Sequence, residues 1–139
     1  MKLIRSAKVV ILDKNGDALT LRRSGSHPRE AFRPDLPGGV IKEDETFEAG
    51  LVREIFEETG IAIKSEQLIL VHTFTHRLFG KSVSRLLYAV RLQEVAPHIA
   101  ISWEHDEFSW QPIADVHDME KPYQKGIDYA NEHGLWKKI

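Results

Sequence analysis

Residues 39–61 form the stretch GVIKEDETFEAGLVREIFEETGI, and its capping residues define one element clearly. Thr46 is a suitable N-cap, because a threonine hydroxyl can accept a hydrogen bond from the first turn of a helix. Glu48 lies in that first turn, where the positive end of the helix dipole favours an acid. Gly60 stands where helices often end in a left-handed residue. The stretch therefore predicts an α-helix over residues 46–59.

Three acids of this helix lie beside its apolar face. At about 100° per residue, Glu54, Glu57 and Glu58 share an arc of about 100° next to Leu51 and Ile55. Carboxylates this close repel one another unless cations lie between them. Mg²⁺ or Mn²⁺ would neutralise them, because these ions prefer carboxylate oxygens as ligands. The acids alone leave a second interpretation open, a solvated acidic surface with ordinary Arg–Glu pairs.

The remaining chain alternates predicted strands with turns. Residues 7–12 and 18–21 predict two strands joined by the turn at 13–17, so residues 7–22 are expected to form a hairpin. Residues 22–37 contain three prolines and predict a long irregular loop. Further strands are predicted over 61–63, 68–79, 82–93 and 107–110, and a second helix over 122–132. We expect a single mixed α/β domain over residues 1–139.

Composition excludes several classes of protein. Among 139 residues, 19 Lys and Arg against 21 Asp and Glu give a net charge of −2, and the pI is near 6.4. This balance argues against a stable nucleic-acid partner or a polybasic membrane binder. The chain has no cysteine, which excludes disulfides and cysteine-ligated zinc. No signal peptide and no apolar run of about 18 residues is visible, so a cytoplasmic protein without a membrane partner is expected.

The acidic helix belongs to a longer pattern. With U for an apolar residue, the spacing G-x5-E-x7-R-E-U-x-E-E-x-G-U resembles the complete Nudix box, and residues 39–61 depart from it nowhere. The preceding Leu36-Pro37-Gly38 and the later segment 104–110 also resemble that family. The resemblance implies the Nudix fold, a mixed β-sheet sandwiched between α-helices. It also implies hydrolysis of a nucleoside diphosphate linked to another group, X, with Mg²⁺ or Mn²⁺ as cofactor.

The family pattern also assigns roles to the residues at matching positions. It implies that Glu54, Glu57 and Glu58 bind metal and activate water, and these two tasks are assigned to them jointly. Gly38 would offer its backbone carbonyl to the metal, which requires the bare backbone that glycine provides.

Two further pairs of residues complete the predicted catalytic and metal-binding set. Glu45 and Arg53 would support the helix and its loop. Many family members place another acid in a later loop, as a metal ligand or base. The candidates here are Glu104, which is preferred, and Glu107.

Substrate contacts are predicted outside the acidic cluster. Arginines near the long loop suit phosphate, because a guanidinium group can donate two parallel hydrogen bonds. An aromatic side chain could stack on a nucleobase. The predicted substrate-binding residues are Arg22, Arg23, Arg33, Gly39 and Phe74. The seven histidines show no zinc spacing on one helix and are interpreted as structural or surface residues.

The predicted activity is that of a pyrophosphohydrolase, in which water attacks phosphorus in a small nucleotide or nucleotide-linked diphosphate. Two alternatives remain. The chain could be a Nudix-fold module that senses a nucleotide without cleaving it, or the carboxylates could bind a purely structural ion. Family members are often dimers, so a homodimer is also open.

Overall fold

The structure, a computed structural model, describes residues 3–139, which form a seven-stranded mixed β-sheet and two α-helices. The strands are β1 (Leu3–Leu12), β2 (Asp17–Arg23), β3 (Pro34–Asp35), β4 (Gly38–Val40), β5 (Ile69–Leu78), β6 (Lys81–Arg91) and β7 (His105–Pro112). The helices are α1 (Phe47–Thr59) and α2 (Lys121–Glu132). Three short 3₁₀ turns span Ser65–Gln67, Ile113–Asp115 and Leu135–Lys138.

Strand β1 is the centre of the molecule, because both of its faces are covered. Val9 and Ile11 pack in one hydrophobic cluster with Ile55 of α1. Val10 packs in a second cluster with Ile127 of α2. Alternate residues of a strand point to opposite faces of a sheet, so the two helices lie on opposite sides. The predicted mixed sheet between helices is confirmed.

The pairing of β1 differs from the predicted hairpin. Strands β1 and β2 share one described pair, Leu12 with Ala18, at the turn. Beyond the turn β1 runs parallel to β6 along its whole length and antiparallel to β4, while β2 pairs with β7. The turn itself is as predicted, with the Asp13 carboxylate accepting hydrogen bonds from the Asn15 and Asp17 amides. A hairpin over the whole of 7–22 is therefore wrong: the antiparallel pairing of β1 with β2 is confirmed only at the turn, because long-range partners take the edges of β1 beyond it.

The predicted strand over residues 61–63 is also wrong. This segment has no regular secondary structure. Ile61 and Ile63 contribute to the cluster beneath α1 without a sheet partner, so their apolar character reflects burial alone. The strands predicted over 68–79 and 82–93 are confirmed as β5 and β6, and β7 is longer than predicted.

Helix α1 begins and ends where the sequence predicts. The Thr46 hydroxyl accepts a hydrogen bond from the Ala49 amide at 3.1 Å. Gly60 ends the helix in the left-handed region, at φ 76°, and its N–H donates to the Phe56 carbonyl. These caps fix the position of the acidic residues along the chain. No helix within residues 3–139 combines the length and the apolar character that crossing a bilayer requires.

Helix α2 lies against the sheet at Gly126, and this contact generates a prediction for Gly126→Ala. A Cβ at this position would lie 2.8 Å from Leu87 Cδ2 and 3.0 Å from His72 Cβ. Overpacking costs about 1–3 kcal/mol, against about 0.8–1.0 kcal/mol gained from the higher helix propensity of alanine. We expect a net loss of about 1 kcal/mol in the free energy of unfolding, measured by urea denaturation.

The matched control is Glu132→Ala, at an exposed position of the same helix. It should leave the free energy of unfolding nearly unchanged. A Gly126→Ala variant as stable as the wild type would show that Leu87 can move aside, contrary to this account of α2 packing.

Candidate active site

The site is built around a close approach between two strands. Gly38 pairs with Lys8 of β1 at φ 130°, a backbone conformation that side chains rarely adopt. A Cβ on Gly38 would lie 2.1 Å from the Ala7 carbonyl oxygen. Only glycine fits here, so β4 can rest directly on the backbone of β1.

Glu58 joins α1 to this strand contact. Its Oε2 accepts a hydrogen bond from the Gly38 amide at 2.8 Å, and the residue is only 3% exposed. Burial raises the pKa of Glu58 to about 8, although the nearby Lys8 ammonium and the Gly38 amide act in the opposite direction. The carboxyl group is thus fixed in place, and its burial disfavours the ionised form.

Glu54 lies one helical turn earlier and faces the neighbouring glycine. A Cβ on Gly39 would lie 3.3 Å from the Glu54 carboxyl carbon. Burial raises the pKa of Glu54, the charges of Glu57 and Glu104 add to the increase, and Arg53 opposes it. Gly39 therefore allows Glu54 to approach the β4 backbone, while Glu58 binds the amide of Gly38.

Arg53 organises the outer acids of the helix. Its guanidinium donates to both oxygens of Glu45, at 2.7 and 2.9 Å, and to Glu54 Oε1 at 3.2 Å. It also reaches Glu57 at 3.3 Å, whose side chain is 56% exposed. The hydrogen bonds from Arg53 lower the pKa of Glu45 to about 2. Arg53 and Glu45 thus brace the loop against the helix.

A cavity of about 190 Å³ opens beside these acids. Acidic and basic side chains share its wall, which is formed by Lys8, Arg23, His27, Pro28, Arg29, Asp35, Gly38, Gly39, Val40, Glu54 and Glu104. Of the two candidates for the later acid, Glu104 lines this cavity. Glu107 instead lies near Arg22, at 3.5 Å, and faces a different cavity.

Arg23 is the predicted phosphate-binding residue that reaches the cavity. Its side chain is buried and donates to the Arg29 carbonyl at 3.1 Å, and its Nε lies 3.4 Å from Asp35. The backbone of Arg23 also pairs with Phe32 and Arg33. Arg23 thus holds the loop that carries Arg29 against the cavity.

Three other predicted substrate contacts lie away from the cavity wall. Arg22 donates two hydrogen bonds to the Asp106 carboxylate, both at 2.8 Å. Arg33 lies beside the start of α2, with Nη2 3.4 Å from the Asp118 carbonyl. Phe74 lies on β5 beneath the ammonium of Lys125, 5.6 Å from its ring centre. Their contact with substrate stays a prediction.

The sequence pattern does not mark a buried polar network in the cavity wall. Asp35 accepts hydrogen bonds from Lys8 Nζ at 3.0 Å and from the Leu36 amide at 2.9 Å, and its Oδ2 lies 2.9 Å from His105 Nε2. Burial opposes ionisation of this carboxyl, yet Lys8, His105 and Arg23 together hold the pKa of Asp35 well below its usual range. The one sign of this network in the sequence is Lys8, a charged residue beside the apolar run of β1.

Two groups of potential cation ligands are present in residues 3–139. His27, Asp35 and His105 each bring a ligand atom within 4.8 Å of the others. Asp35 is already paired with Lys8 and lies beside Arg23, so protein groups balance its charge and little of that charge is left to attract a metal ion. This first group is therefore a poor cation site.

The second group consists of oxygen ligands near the cavity. Glu54 and Glu104 line it together with Gly38, and Glu58 lies behind Gly38. Burial raises the pKa values of Glu54 and Glu58, because their ionised forms are poorly solvated in the protein. Such oxygens suit a hard divalent ion such as Mg²⁺ or Mn²⁺, so these residues fit the cofactor that the resemblance implies.

Comparison with known proteins identifies the family of this chain. The sequence model of the NUDIX domain matches residues 2–130. A MutT-like protein of Streptomyces ambofaciens is 40% identical over 109 residues, which cover 78% of this chain and 68% of that protein. An RNA pyrophosphohydrolase of Psychromonas ingrahamii is 33% identical over 81% of this chain, and the match spans 56% of that relative's length.

Solved structures share the fold. The MutT protein from Methanosarcina mazei Go1 superimposes with a TM-score of 0.78 at 26% identity and covers 96% of both chains. The NUDIX domain of Shewanella oneidensis NrtR, solved with ADP ribose, gives a TM-score of 0.72 at 21% identity, over 96% of this chain and 89% of that one. The chain belongs to the Nudix hydrolase family, whose members act on nucleoside diphosphate derivatives and generally use a divalent metal ion.

Proposed function

We propose that this hydrolase cleaves the P–O–P bond of a small nucleotide or nucleotide-linked diphosphate, with water attacking phosphorus. The observation that supports this proposal is that acidic and basic side chains line the same cavity. Glu54 and Glu104 lie in the same 190 Å³ space as Arg23 and Arg29. Acids that can hold a cation and arginines that can hold phosphate are what a diphosphate substrate needs. We further propose that residues 1–139 act as one domain, in the cytoplasm.

The proposed cation ligands are oxygen atoms. They belong to the Gly38 carbonyl and to the carboxylates of Glu54, Glu57, Glu58 and Glu104. Bound Mg²⁺ or Mn²⁺ would supply positive charge for the phosphoryl oxygens and acidify a water molecule. To bind the cation, the exposed Glu57 side chain would have to give up its contact with Arg53.

Glu54 is the proposed acceptor of the proton that the attacking water loses. Arg53 contacts its Oε1, and Oε2 has no hydrogen-bond partner among residues 3–139. As the water oxygen forms its bond to phosphorus, the proton passes to this carboxylate and the bridging P–O bond breaks. Proton transfer to a positioned side chain typically contributes 10²- to 10⁴-fold to a rate.

Arg29 is the proposed phosphate-binding arginine of the cavity. Its guanidinium makes no hydrogen bond with any of residues 3–139, whereas the Arg23 guanidinium, the other proposed phosphate contact, also donates to the Arg29 carbonyl. Planar guanidinium groups bind phosphate oxygens through two parallel hydrogen bonds. The remaining proposed contacts to the substrate are those of Gly39, Arg22, Arg33 and Phe74.

The activity is tested with a substrate panel. It contains nucleoside triphosphates, oxidised dGTP, ADP-ribose, NADH, coenzyme A, nucleotide sugars and dinucleoside polyphosphates, each with Mg²⁺, Mn²⁺ or EDTA. We expect hydrolysis of one class in the presence of metal and none with EDTA. Folded protein that is inactive on the whole panel, yet gains thermal stability from a nucleotide, would contradict the proposal in favour of a sensor.

The carboxylate assignment predicts the effect of Glu54→Gln and, separately, of Glu57→Gln. Each change keeps the shape of the side chain but removes its charge, so kcat should fall about 10²- to 10⁴-fold. Glu66→Gln, an exposed acid outside the site, serves as the control and should retain full activity. Near-wild-type turnover of Glu54→Gln would show that Glu54 does not accept the proton from the attacking water.

The bracing role of Arg53 predicts the effect of Arg53→Lys. A lysine keeps the charge but cannot donate to both oxygens of Glu45 while also reaching Glu54. Because small displacements of catalytic groups are costly, kcat should fall about 10- to 100-fold. The control is Arg77→Lys, at an exposed position of β5, which should leave kcat unchanged. If both variants behave alike, the geometry of the Arg53 contacts is unimportant for turnover.

A further inference from the structure

A buried lysine forms part of the cavity wall. Lys8 lies within β1 and is 8% exposed. Its ammonium donates to Asp35 Oδ1 at 3.0 Å, to the Leu36 carbonyl at 3.0 Å and to the Gly38 carbonyl at 3.1 Å. An ammonium group carries three N–H donors, and here all three have partners. Lys8 is therefore held in one position by the fold.

The contact with Gly38 connects Lys8 to the acids of α1. Lys8 holds the carbonyl of Gly38, while the Gly38 amide donates to Glu58 Oε2 at 2.8 Å. Both polar groups of this one residue are therefore anchored. A backbone carbonyl has two lone pairs, so the hydrogen bond from Lys8 leaves one free for a cation.

We propose that Lys8 is a positioning residue of the hydrolase, which orients the Gly38 carbonyl and, through Gly38, the Glu58 carboxylate for the catalytic cation. This inference rests on the proposed function, in which both groups are cation ligands. Partners that orient the ligands of a metal ion commonly change its affinity 10- to 100-fold when they are removed.

Two other roles for Lys8 make different predictions. If Lys8 only neutralises Asp35, its removal would affect stability but not cation binding. Asp35 also contacts His105, Arg23 and the Leu36 amide, so it keeps partners without Lys8. If the Lys8 charge only repels the cation, its removal would make cation binding tighter.

The test is the affinity of the substrate-free protein for Mn²⁺, measured by electron paramagnetic resonance of the free ion in Lys8→Met. Methionine preserves the apolar stem and removes the three donors. The control is Ser6→Ala, two residues away on the same face of β1. Ser6 is equally buried and loses its hydrogen bond with the Tyr123 hydroxyl. We expect Mn²⁺ binding to weaken about 10- to 100-fold in Lys8→Met and to stay within about twofold in Ser6→Ala.

Kinetics provide a second readout. In Lys8→Met the Mn²⁺ concentration for half-maximal activity should rise by the same factor, while the KM for substrate stays close to the wild-type value. If Lys8→Met fails to fold, Lys8→Met/Asp35→Asn carries the test, because it leaves no unpaired buried carboxylate. The loss of Mn²⁺ affinity must persist in that double variant.

Mn²⁺ binding that is unchanged or tighter in the folded variants would overturn the role of Lys8. That result, together with an active wild type that binds Mn²⁺, leaves the proposed function intact. A wild type that binds no Mn²⁺ and hydrolyses nothing in the panel would overturn the proposed function, and the role of Lys8 with it.

Discussion

The contact of Gly38 with β1 is the constraint on which the candidate site depends. The Ala7 carbonyl occupies the space where any Cβ at position 38 would have to lie. This contact fixes β4 against the central strand, and β4 in turn sets the position of the Gly38 amide and carbonyl. The amide binds Glu58 of α1 and the carbonyl binds Lys8 of β1. Gly38 thus connects the sheet, helix α1 and the cavity.

The candidate site has two parts that differ in how well the protein stabilises their negative charges. Asp35 is surrounded by Lys8, Arg23 and His105, so its charge is balanced by the protein itself. Glu54 and Glu58 receive less compensation, and burial makes their ionised forms costly. A divalent cation would therefore gain most from the acids of α1, whereas the Asp35 network serves to hold the cavity wall together.

Sequence patterns spanning a few residues predict the helices and strands whose ends are set by contacts between nearby residues. The caps at Thr46 and Gly60 set both ends of α1, and the spacing within residues 39–61 identified the acids and Arg53 that the structure places beside β4. The second helix and most strands were also evident from apolar periodicity. These features depend on residues a few positions apart, which a sequence displays directly.

Contacts between distant residues could not be predicted in this way. Asp35 meets Lys8, 27 positions away, and His105, 70 positions away, with no motif linking them. Arg22 pairs with Asp106 because β2 lies beside β7, a neighbour that the expected hairpin did not include. Ile61 and Ile63 resemble a strand because burial selects apolar residues whether or not a sheet partner exists.

The parallel pairing of β1 with β6 also constrains the order in which the molecule can assemble. Leu3 pairs with Ser82 and Leu12 with Arg91, so the central strand finds this partner only after most of the chain has been made. Contacts of such long sequence separation require the closure of a large loop and slow the folding of a domain. Helix α1 is capped by its own neighbouring residues, but Glu104 reaches the same cavity from a segment far along the chain, after β6. The acids of α1 are therefore made before the segment that completes the wall of the cavity beside them.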